Sequence, residues 1–431
     1  MLVFSLPRFR ISIMANQPIL KQAQPRMILV RRLLLAVSPL VLTACDARTA
    51  GDGVVSGAER GAEVINLHGD ARIPATVIPE SKSMRPEVQG EQFLYRAGFG
   101  RLVVTGKAIV ASSGTGTIHI VDASGTTLRT IGRLGDGPGE FRGLGEVYPA
   151  QGDGLISYDR KTHRISRFDS DGTLLNEVRA ETPPGASAFG YSSLVGAFAD
   201  GGFLLAIATG PRDANPPAPN AFNQAPIILF AVDSLGKISR EYGEFAGEEV
   251  YLVAGKEGPF RGEIGIFGHA PYGYTTRFGV QGDRALVFDN RDGTIRALDR
   301  SGQPVATYRA TWPARTPAKA AWEKLDEEWV MQGAQATWTA RRSVVAGIEK
   351  PTTLPAFREG FTASDGTIWL EPFHYWNGTN RTYVGFDTDG TALKAISLPY
   401  RDRLLDVDRQ RVLVLRISEE GTERVEVVPL R

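Results

Sequence analysis

The stretch from Ile131 to Gly172, IGRLGDGPGEFRGLGEVYPAQGDGLISYDRKTHRISRFDSDG, decides the fold of this chain. It opens with a glycine-dense turn, Gly135–Phe141, and two short runs rich in β-branched and aromatic residues follow, Leu155–Tyr158 and Arg164–Phe168. Turn-forming residues bound each run, which is typical of short β-strands. The second run ends in Asp169-Ser170-Asp171-Gly172, where Asp opens the turn and Gly accepts a positive φ. The stretch therefore predicts one antiparallel unit of the size of a propeller blade.

Weaker copies of this unit recur along the chain. Six apolar runs are each followed by a four-residue turn that begins with Asp or Ser and ends with Gly. The runs are Thr117–Val121, Arg164–Phe168, Ile227–Val232, Thr294–Leu298, Arg381–Phe386 and Val412–Ile417. Repetition at roughly 40–50 residues favours a propeller, because sandwiches and barrels do not repeat at blade length. The prediction is an all-β, six-bladed β-propeller that forms one domain over residues 63–431.

The same stretch carries a resemblance to a known family. Gly135–Phe141 supplies a Gly-Pro-Gly-x-Phe turn, Gly154–Asp159 a glycine-led strand that ends in Asp, and His163–Asp169 a His-Arg-Ile run that closes on Phe-Asp. This pattern resembles an NHL repeat, and Asp283–Gly302 is a weaker copy. Over residues 93–431 the chain resembles bacterial six-bladed β-propeller lipoproteins with NHL-like, TolB-like repeats. The resemblance implies a closed ring with an axial channel.

The end of the chain bears on how the ring closes. After Gly421 only one alternating strand remains, Thr422–Leu430, so we expect the last blade to lack its outer strand. A segment within Val64–Pro79 is expected to supply that strand and leave no open sheet edge. Residues 316–348, between the fourth and fifth blades, predict a helical insertion, since Thr316 can cap a helix and Pro317 suits its first turn.

The N-terminus is typical of an export signal. Arg31-Arg32 precede an apolar run, Leu33–Leu42, and small residues lead to Cys45. The run is much shorter than the ~20 apolar residues that span a bilayer as a helix. Residues 1–44 therefore predict a signal peptide, with the true start at Met27 or Met14.

The residues that end this signal, Leu42-Thr43-Ala44-Cys45, resemble the lipobox of bacterial lipoproteins. The resemblance implies cleavage before Cys45 and acylation of its thiol, which would anchor the chain to a bacterial membrane. Residues 45–62 are small and polar and predict a flexible tether. We expect an extracytoplasmic, lipid-anchored protein on the periplasmic face, with the choice of membrane left open.

Composition narrows the range of partners. Cys45 is the only cysteine, so no intramolecular disulfide can form. Residues 1–45 hold six basic and no acidic residues, which leaves 43 basic and 48 acidic residues, a net charge of −5, for the remainder. A weakly acidic body argues against a nucleic-acid-binding protein. We expect a monomer.

Residues that carry chemistry are few. Of the five histidines, His269 and His374 lie in irregular aromatic stretches and are the candidates for a divalent metal at the channel, which the family resemblance implies for some relatives. No HxH or HExxH spacing supports them, so neither a catalytic residue nor a cofactor is predicted. The Asp-x-Asp-Gly turns at Asp169 and Asp387 lack the terminal Glu of a calcium loop and predict ordinary turns.

Two further sets of residues stay open as ligand candidates. Some propeller lactonases hold calcium with Glu, Asn and Asp from several blades, and residues of these types here are Glu140, Asp159, Asp289, Asn290 and Glu371. Aromatic residues that could line a groove for a glycan or peptide are Trp369, Phe373, Tyr375 and Trp376. Core packing accounts for Trp369 equally well.

These observations favour a non-catalytic binding or scaffold lipoprotein whose partner is a protein, a peptide or a glycan. This inference rests on the predicted fold, on the predicted location and on the lack of catalytic signatures in the sequence, so it remains an analogy. The alternative is a metal-dependent propeller enzyme, a lactonase or a lyase, that acts at the axial channel.

Overall fold

The computed structural model shows seven β-sheets in the described residues, six of which follow one another along the chain and around one axis. It describes residues 62–68, 75–79, 94, 96–103, 105–186, 192–209, 221–254, 264–269, 272–312, 354–372, 380–418 and 421–430. The predicted signal peptide, Cys45 and the helical prediction over 316–348 lie outside these ranges. Within the described residues the helical content is one 3-10 turn, Gln151–Asp153, and no helix there has the length and hydropathy to span a bilayer.

Two short strands precede the first three blades, namely β1 (Glu63–His68) and β2 (Ala75–Val77). Blade one contains β3 (Ala97–Leu102), β4 (Ala108–Ser112), β5 (Thr117–Val121) and β6 (Thr127–Ile131). Blade two contains β7 (Leu144–Pro149), β8 (Leu155–Asp159), β9 (Arg164–Phe168) and β10 (Leu174–Arg179). Blade three contains β11 (Ser192–Ala197), β12 (Phe203–Ala208), β14 (Ile227–Val232) and β15 (Ile238–Phe245).

The second half of the chain builds three more blades and a small separate sheet. The accessory sheet consists of β13 (Ala221–Gln224), β16 (Glu249–Ala254) and β17 (Ile264–His269). Blade four contains β18 (Thr276–Gln281), β19 (Arg284–Asp289), β20 (Thr294–Leu298) and β21 (Pro304–Thr311). Blade five contains β22 (Phe357–Thr362), β23 (Ile368–Pro372), β24 (Asn380–Phe386) and β25 (Ala392–Pro399). Blade six contains β26 (Arg403–Val407), β27 (Arg411–Ile417) and β28 (Glu423–Pro429).

The prediction of an all-β, six-bladed propeller is confirmed. The first strand of each blade lies next to the axis, and β26 of the last blade contacts β3 of the first, which closes the ring. Because every blade is an antiparallel meander that starts at the axis, all six innermost strands begin at the same end of the ring. We call that end the upper face.

The predicted source of the last blade's missing strand is wrong. Among the described residues blade six has three strands, as expected, and between its second and third strands the N–H of Gly421 donates to the carbonyl of Ser418. However, β1 pairs in parallel with β21 and β2 with β25, as fifth strands of blades four and five. Burial explains this choice, because Leu67 of β1 is fully buried in the core that blades four and five share. The residue that reaches the edge of β28 is Leu94, through a bridge to Glu423.

Blade six is tied to both of its neighbours by one carboxylate. The Oδ2 atom of Asp406 accepts the backbone N–H of Leu102 in blade one, with an N–O distance of 2.8 Å. Its Oδ1 atom accepts the N–H of Ser364 in blade five at 3.0 Å. Arg101 of blade one donates in return to the carbonyl of Leu405 at 3.0 Å. Asp406 is completely buried, so these bonds close the ring where water cannot replace them.

In the Asp-led turns the Asp carboxylate accepts backbone N–H groups of its own turn, which confirms the interpretation of these carboxylates as turn residues. Asp169 Oδ1 accepts the N–H groups of Asp171 and Thr173 at 2.9 and 2.8 Å. Asp387 Oδ1 accepts the N–H of Thr391 at 2.8 Å. Each carboxylate therefore completes a local Asx-type turn.

Glycine at the fourth position of an innermost strand lets neighbouring blades approach closely. The residues are Gly100 in β3, Gly279 in β18 and Gly360 in β22. A Cβ added to Gly360 would lie 2.6 Å from Cδ1 of Phe288 in blade four and 2.9 Å from Cδ2 of Leu370. By contrast, a Cβ on Gly98, the exposed second residue of β3, would meet no atom within 4 Å.

We predict that Gly360→Ala lowers the free energy of unfolding by about 1–3 kcal/mol, because the added methyl overpacks the boundary between blades. Gly98→Ala is the matched control, and we expect it to change that free energy by no more than about 0.5 kcal/mol. Urea denaturation followed by tryptophan fluorescence measures both. Equal effects of the two substitutions would contradict the packing account.

Candidate functional site

Arginines from three consecutive blades meet near the axis at the upper face. They are Arg277 at the second position of β18, Arg358 at the second position of β22, Arg381 at the second position of β24 and Arg403 at the start of β26. Arg381 lies 3.3 Å from the carboxylate of Glu359, the third residue of β22, and the charges of all four arginines lower the pKa of that carboxyl. We call these four residues the axial arginine cluster. Since each sits at the start of a strand in a rigid sheet, the fold fixes their positions.

Arg381 forms the buried base of the cluster. Its Nη2 and Nε atoms lie 2.5 and 2.9 Å from the two carboxylate oxygens of Glu371, a forked geometry that gives the strongest arginine–carboxylate pairs. Both side chains are nearly excluded from solvent, and Nη2 also lies 3.3 Å from Oε2 of Glu359. Burial alone would lower the pKa of Arg381, but Tyr383, Glu371 and Glu359 together raise it well above its ordinary value.

Arg381 also explains how two acidic residues come to lie opposite each other. Glu359 on β22 and Glu371 on β23 are cross-strand partners. Like charges in that position destabilise a sheet. The guanidinium of Arg381 contacts both carboxylates and offsets this repulsion.

Glu359 differs from Glu371 because its side chain keeps 49% of its surface exposed. Desolvation by its crowded surroundings would raise its pKa, but the charges of Arg381, Arg277, Arg358 and Arg403 lower it. Glu359 is therefore ionised at neutral pH and faces the solvent at the mouth of the axis. Besides Glu359 and Glu371, Glu248 lies 3.7 Å from Arg277, so three carboxylates offset the charge of the cluster.

Two members of the cluster have little local neutralisation. Nη2 of Arg277 lies 3.7 Å from Oε2 of Glu248, and both side chains are partly exposed. Arg403 is exposed and forms no hydrogen bond or ion pair with any residue in the described ranges. These guanidinium groups can bind an anion from solvent.

A second charged network serves assembly. Glu146 pairs with Arg160 in blade two and accepts the N–H of Leu194 in blade three at 3.2 Å. Tyr148 donates to the carbonyl of the same Leu194 at 3.1 Å. The Arg160 guanidinium also lies 4.8 Å from the ring centroid of Phe99 in blade one. These contacts join blades one, two and three.

One cluster has the composition of a catalytic site but not its accessibility. Tyr158 Oη lies 2.9 Å from both His163 Nδ1 and Ser192 Oγ, and that Oγ is 3.1 Å from the same Nδ1. Ser192 is 1% exposed, so no substrate can reach its hydroxyl in this state. Burial lowers the pKa of His163 and raises that of Tyr158. The arrangement joins blades two and three through neutral hydrogen bonds.

The sequence-predicted ligand residues are not brought together among the described residues. Trp369 is 2% exposed in the core between blades five and six, and its Nε1 donates to Thr367 Oγ1 at 2.9 Å. Core packing, not a ligand surface, accounts for it, which corrects that candidate. His269 ends β17 of the accessory sheet, opposite Val250. The other predicted residues lie outside the described ranges, namely Cys45, Phe373, His374, Tyr375 and Trp376.

The acidic residues that are candidate calcium ligands each form a hydrogen bond or an ion pair with a nearby residue. Glu140 accepts the N–H of Gly137, Asp159 that of Arg142 and Asp289 that of Arg291, while Glu371 pairs with Arg381. Asn290 is buried and accepts the N–H of Thr275. Across the part of the chain that the structure describes, no three His, Cys, Asp or Glu residues are grouped so that they could hold a metal ion.

Apart from Glu371, the sequence reasoning missed this site. A signal is present in two innermost strands, Thr276–Gln281 (TRFGVQ) and Phe357–Thr362 (FREGFT), which both place Arg second and Gly fourth. Shared Arg and Gly positions in strands of different blades indicate equivalent places around the axis. The spacing alone does not show that Arg381 and Arg403 join them.

Comparisons with known proteins add little to this geometry. No protein-family model matches the sequence, and no curated protein matches it. Similar solved structures include a candidate exported protein from Bacteroides fragilis, with 11% identity over 85% of this chain and 99% of that one and a TM-score of 0.42. Virginiamycin B lyase from Staphylococcus aureus has 13% identity over 79% and 88% of the two chains, with a TM-score of 0.35. Regucalcin, a calcium-binding protein from Agrobacterium tumefaciens, has 11% identity over 85% and 96%, with a TM-score of 0.37. At these values none of them carries an argument about what this chain binds or catalyses.

We predict that Glu371→Gln lowers the free energy of unfolding by about 3 kcal/mol or more, because it leaves the buried Arg381 without its forked partner. The control is Glu181→Gln, which breaks the exposed pair between Glu181 and Lys237 and should cost about 0–1 kcal/mol. Thermal and urea denaturation measure both variants. A cost for Glu371→Gln no larger than that of the control would show that the buried pair is not structural.

Proposed function

We propose that this chain is a non-catalytic ligand-binding lipoprotein, held outside the cytoplasmic membrane by lipid on Cys45, and that the upper face of its propeller is the binding surface. The observation that carries the proposal is the axial arginine cluster, an arginine-rich and partly solvent-exposed site built by three blades. Side chains placed at the mouth of a rigid ring can recognise a ligand without rearrangement, which favours binding.

The connections between strands also favour the upper face as the binding surface. The longest connections between blade strands join β12 to β14, β15 to β18 and β21 to β22, and the strand ends that they join all lie at the upper face. The accessory sheet is attached there as well. Arg291 of blade four donates to Gln224 Oε1 of β13 at 2.9 Å, and its guanidinium lies 4.5 Å from the ring centroid of Tyr274. Segments added to a rigid scaffold are where binding sites usually form.

The export signal and the lipobox resemblance support the proposed location, and a protein, peptide or glycan stays the proposed type of macromolecular partner. The metal-dependent lactonase or lyase stays a prediction from the family resemblance. The described residues offer that alternative no specific support.

We predict that Gly98→Trp blocks the proposed site, because this position is exposed, has free space around it and lies at the mouth on the innermost strand of blade one. Any compound that raises the melting temperature of the wild type in a screen of anions, sugars and peptides should bind the variant at least tenfold more weakly. Lys107→Trp, at the lower end of the same blade, is the control and should leave binding unchanged. Full binding by a stably folded Gly98→Trp protein would contradict the proposal.

A further inference from the structure

We propose that His119 is a pH-sensitive switch in the seam that closes the ring, between blades six and one. While its imidazole is neutral the seam is tight, and the cost of protonating the buried ring loosens the seam in mild acid. The loosening is a property of the fold and does not depend on the proposed function. Its consequence does, because Arg403 of blade six belongs to the axial arginine cluster and a looser seam would disturb binding at the upper face.

The position of His119 places it in the closing seam. It is the third residue of β5 in blade one and pairs with Val110 of β4. Cross-strand partners share one face of a sheet, and Val110 belongs to the core that blade one forms with Leu413 and Val425 of blade six. The His119 side chain is 2% exposed. The imidazole is therefore buried on the side of blade one that faces blade six.

The hydrogen-bond partners of His119 fit a neutral ring. Its Nε2 atom lies 3.0 Å from Thr117 Oγ1, and its Nδ1 atom lies 3.5 Å from Thr130 Oγ1. Thr117 Oγ1 lies 2.6 Å from the hydroxyl of Thr115. Among the residues that the structure describes, no carboxylate forms a hydrogen bond or an ion pair with this imidazole. Hydroxyl groups suit one N–H donor and one lone pair, but they supply no charge to stabilise an imidazolium ion.

Charged groups on the facing strands do not compensate for the burial. On the neighbouring strands β4 and β6, the residues that share the face of His119 are apolar or carry a hydroxyl. On blade six, the alternation of the strands places Glu423 and Arg411 on the side toward blade one. Glu423 Oε2 accepts the N–H of Ala97 at 2.7 Å, and Arg411 Nε donates to Asp408 Oδ2 at 2.9 Å. Both charged groups are thus bound to other partners.

The burial of His119 sets the direction of the pH dependence. Burial alone lowers its pKa below the ordinary value of about 6.5. In the interval between the two pKa values, the open form of the seam binds a proton that the closed form does not. Stability is therefore complete above the ordinary pKa and is lost as pH falls through this interval, by up to about tenfold in the opening constant per pH unit. Access of solvent to the closed ring is not required, because the open form takes up the proton.

Urea denaturation of the full-length protein in detergent, at about pH 7.5 and about pH 5.5, tests this inference. Between these conditions we expect the unfolding constant of the wild type to rise roughly tenfold more than that of His119→Gln, since glutamine keeps an N–H donor and cannot be protonated. His68→Gln is the matched control and should keep the wild-type pH dependence, because His68 is an exposed histidine bound to Thr311. Only the change with pH is compared, so a lower stability of His119→Gln at neutral pH does not matter. If that variant does not fold, His119→Asn serves the same comparison.

Amide hydrogen exchange in the wild type locates the loosening. Leu102 of blade one and Ser364 of blade five both donate to Asp406, at 2.8 and 3.0 Å. Titration of Asp406 would affect both amides, whereas protonation of His119 acts on the seam with blade one. After correction for the intrinsic exchange rate, we expect Leu102 to lose roughly tenfold in protection between about pH 7.5 and about pH 5.5, while Ser364 keeps its protection.

The same pH dependence in the wild type and in the folded His119 variant would overturn the inference. An equal loss of protection at Leu102 and Ser364 would overturn it as well. Neither measurement involves a ligand, so a failure here leaves the proposed function intact, and a failed ligand screen leaves this inference intact.

Discussion

Closure of the ring through Asp406 is the constraint on which the rest of the structure depends. In the part of the chain that the structure describes, blade six has three strands where blades one to three have four, so it needs other contacts to hold its position. Asp406 instead accepts the backbone N–H groups of Leu102 and Ser364, one from each neighbouring blade. Desolvation raises the pKa of this carboxyl, and the charge of Arg101 acts in the opposite direction. One buried carboxylate thus links the first, fifth and last blades of the chain.

The candidate site follows from that closure. Arg403 begins the strand that contains Asp406, so the contacts that fix Asp406 also set the place of Arg403 beside Glu359. Blades four and five contribute Arg277 and Arg381, and the N-terminal β1 and β2 extend the outer edges of these two blades. Structure and proposed chemistry are therefore coupled, because charges from three blades converge only when the ring is closed. The site is a product of the assembly rather than of any local motif.

The sequence could predict contacts between residues that are close along the chain, but not contacts between residues of different blades. The turn at Asp169 and the strand Leu155–Asp159 were predictable because their hydrogen bonds lie within a few residues. The number of blades followed from their repetition. The pairing of β1 with blade four was not predictable from the sequence. Leu67 could be buried against any outer strand, and only the finished ring decides which one. The approach of Arg403 to Glu359 joins residues of different blades, and no spacing along the chain encodes it.

Amide hydrogen exchange at Leu102 and Ser364 tests the account's central claim most directly. In the wild type both amides should be strongly protected, because each donates to the buried Asp406. In Asp406→Ala they should exchange at least a hundredfold faster, a loss of about 2.7 kcal/mol of protection. The amide of Val110, within blade one, should keep its protection and serves as the internal control. Unchanged protection of Leu102 and Ser364 in this variant would contradict the claim that Asp406 closes the ring.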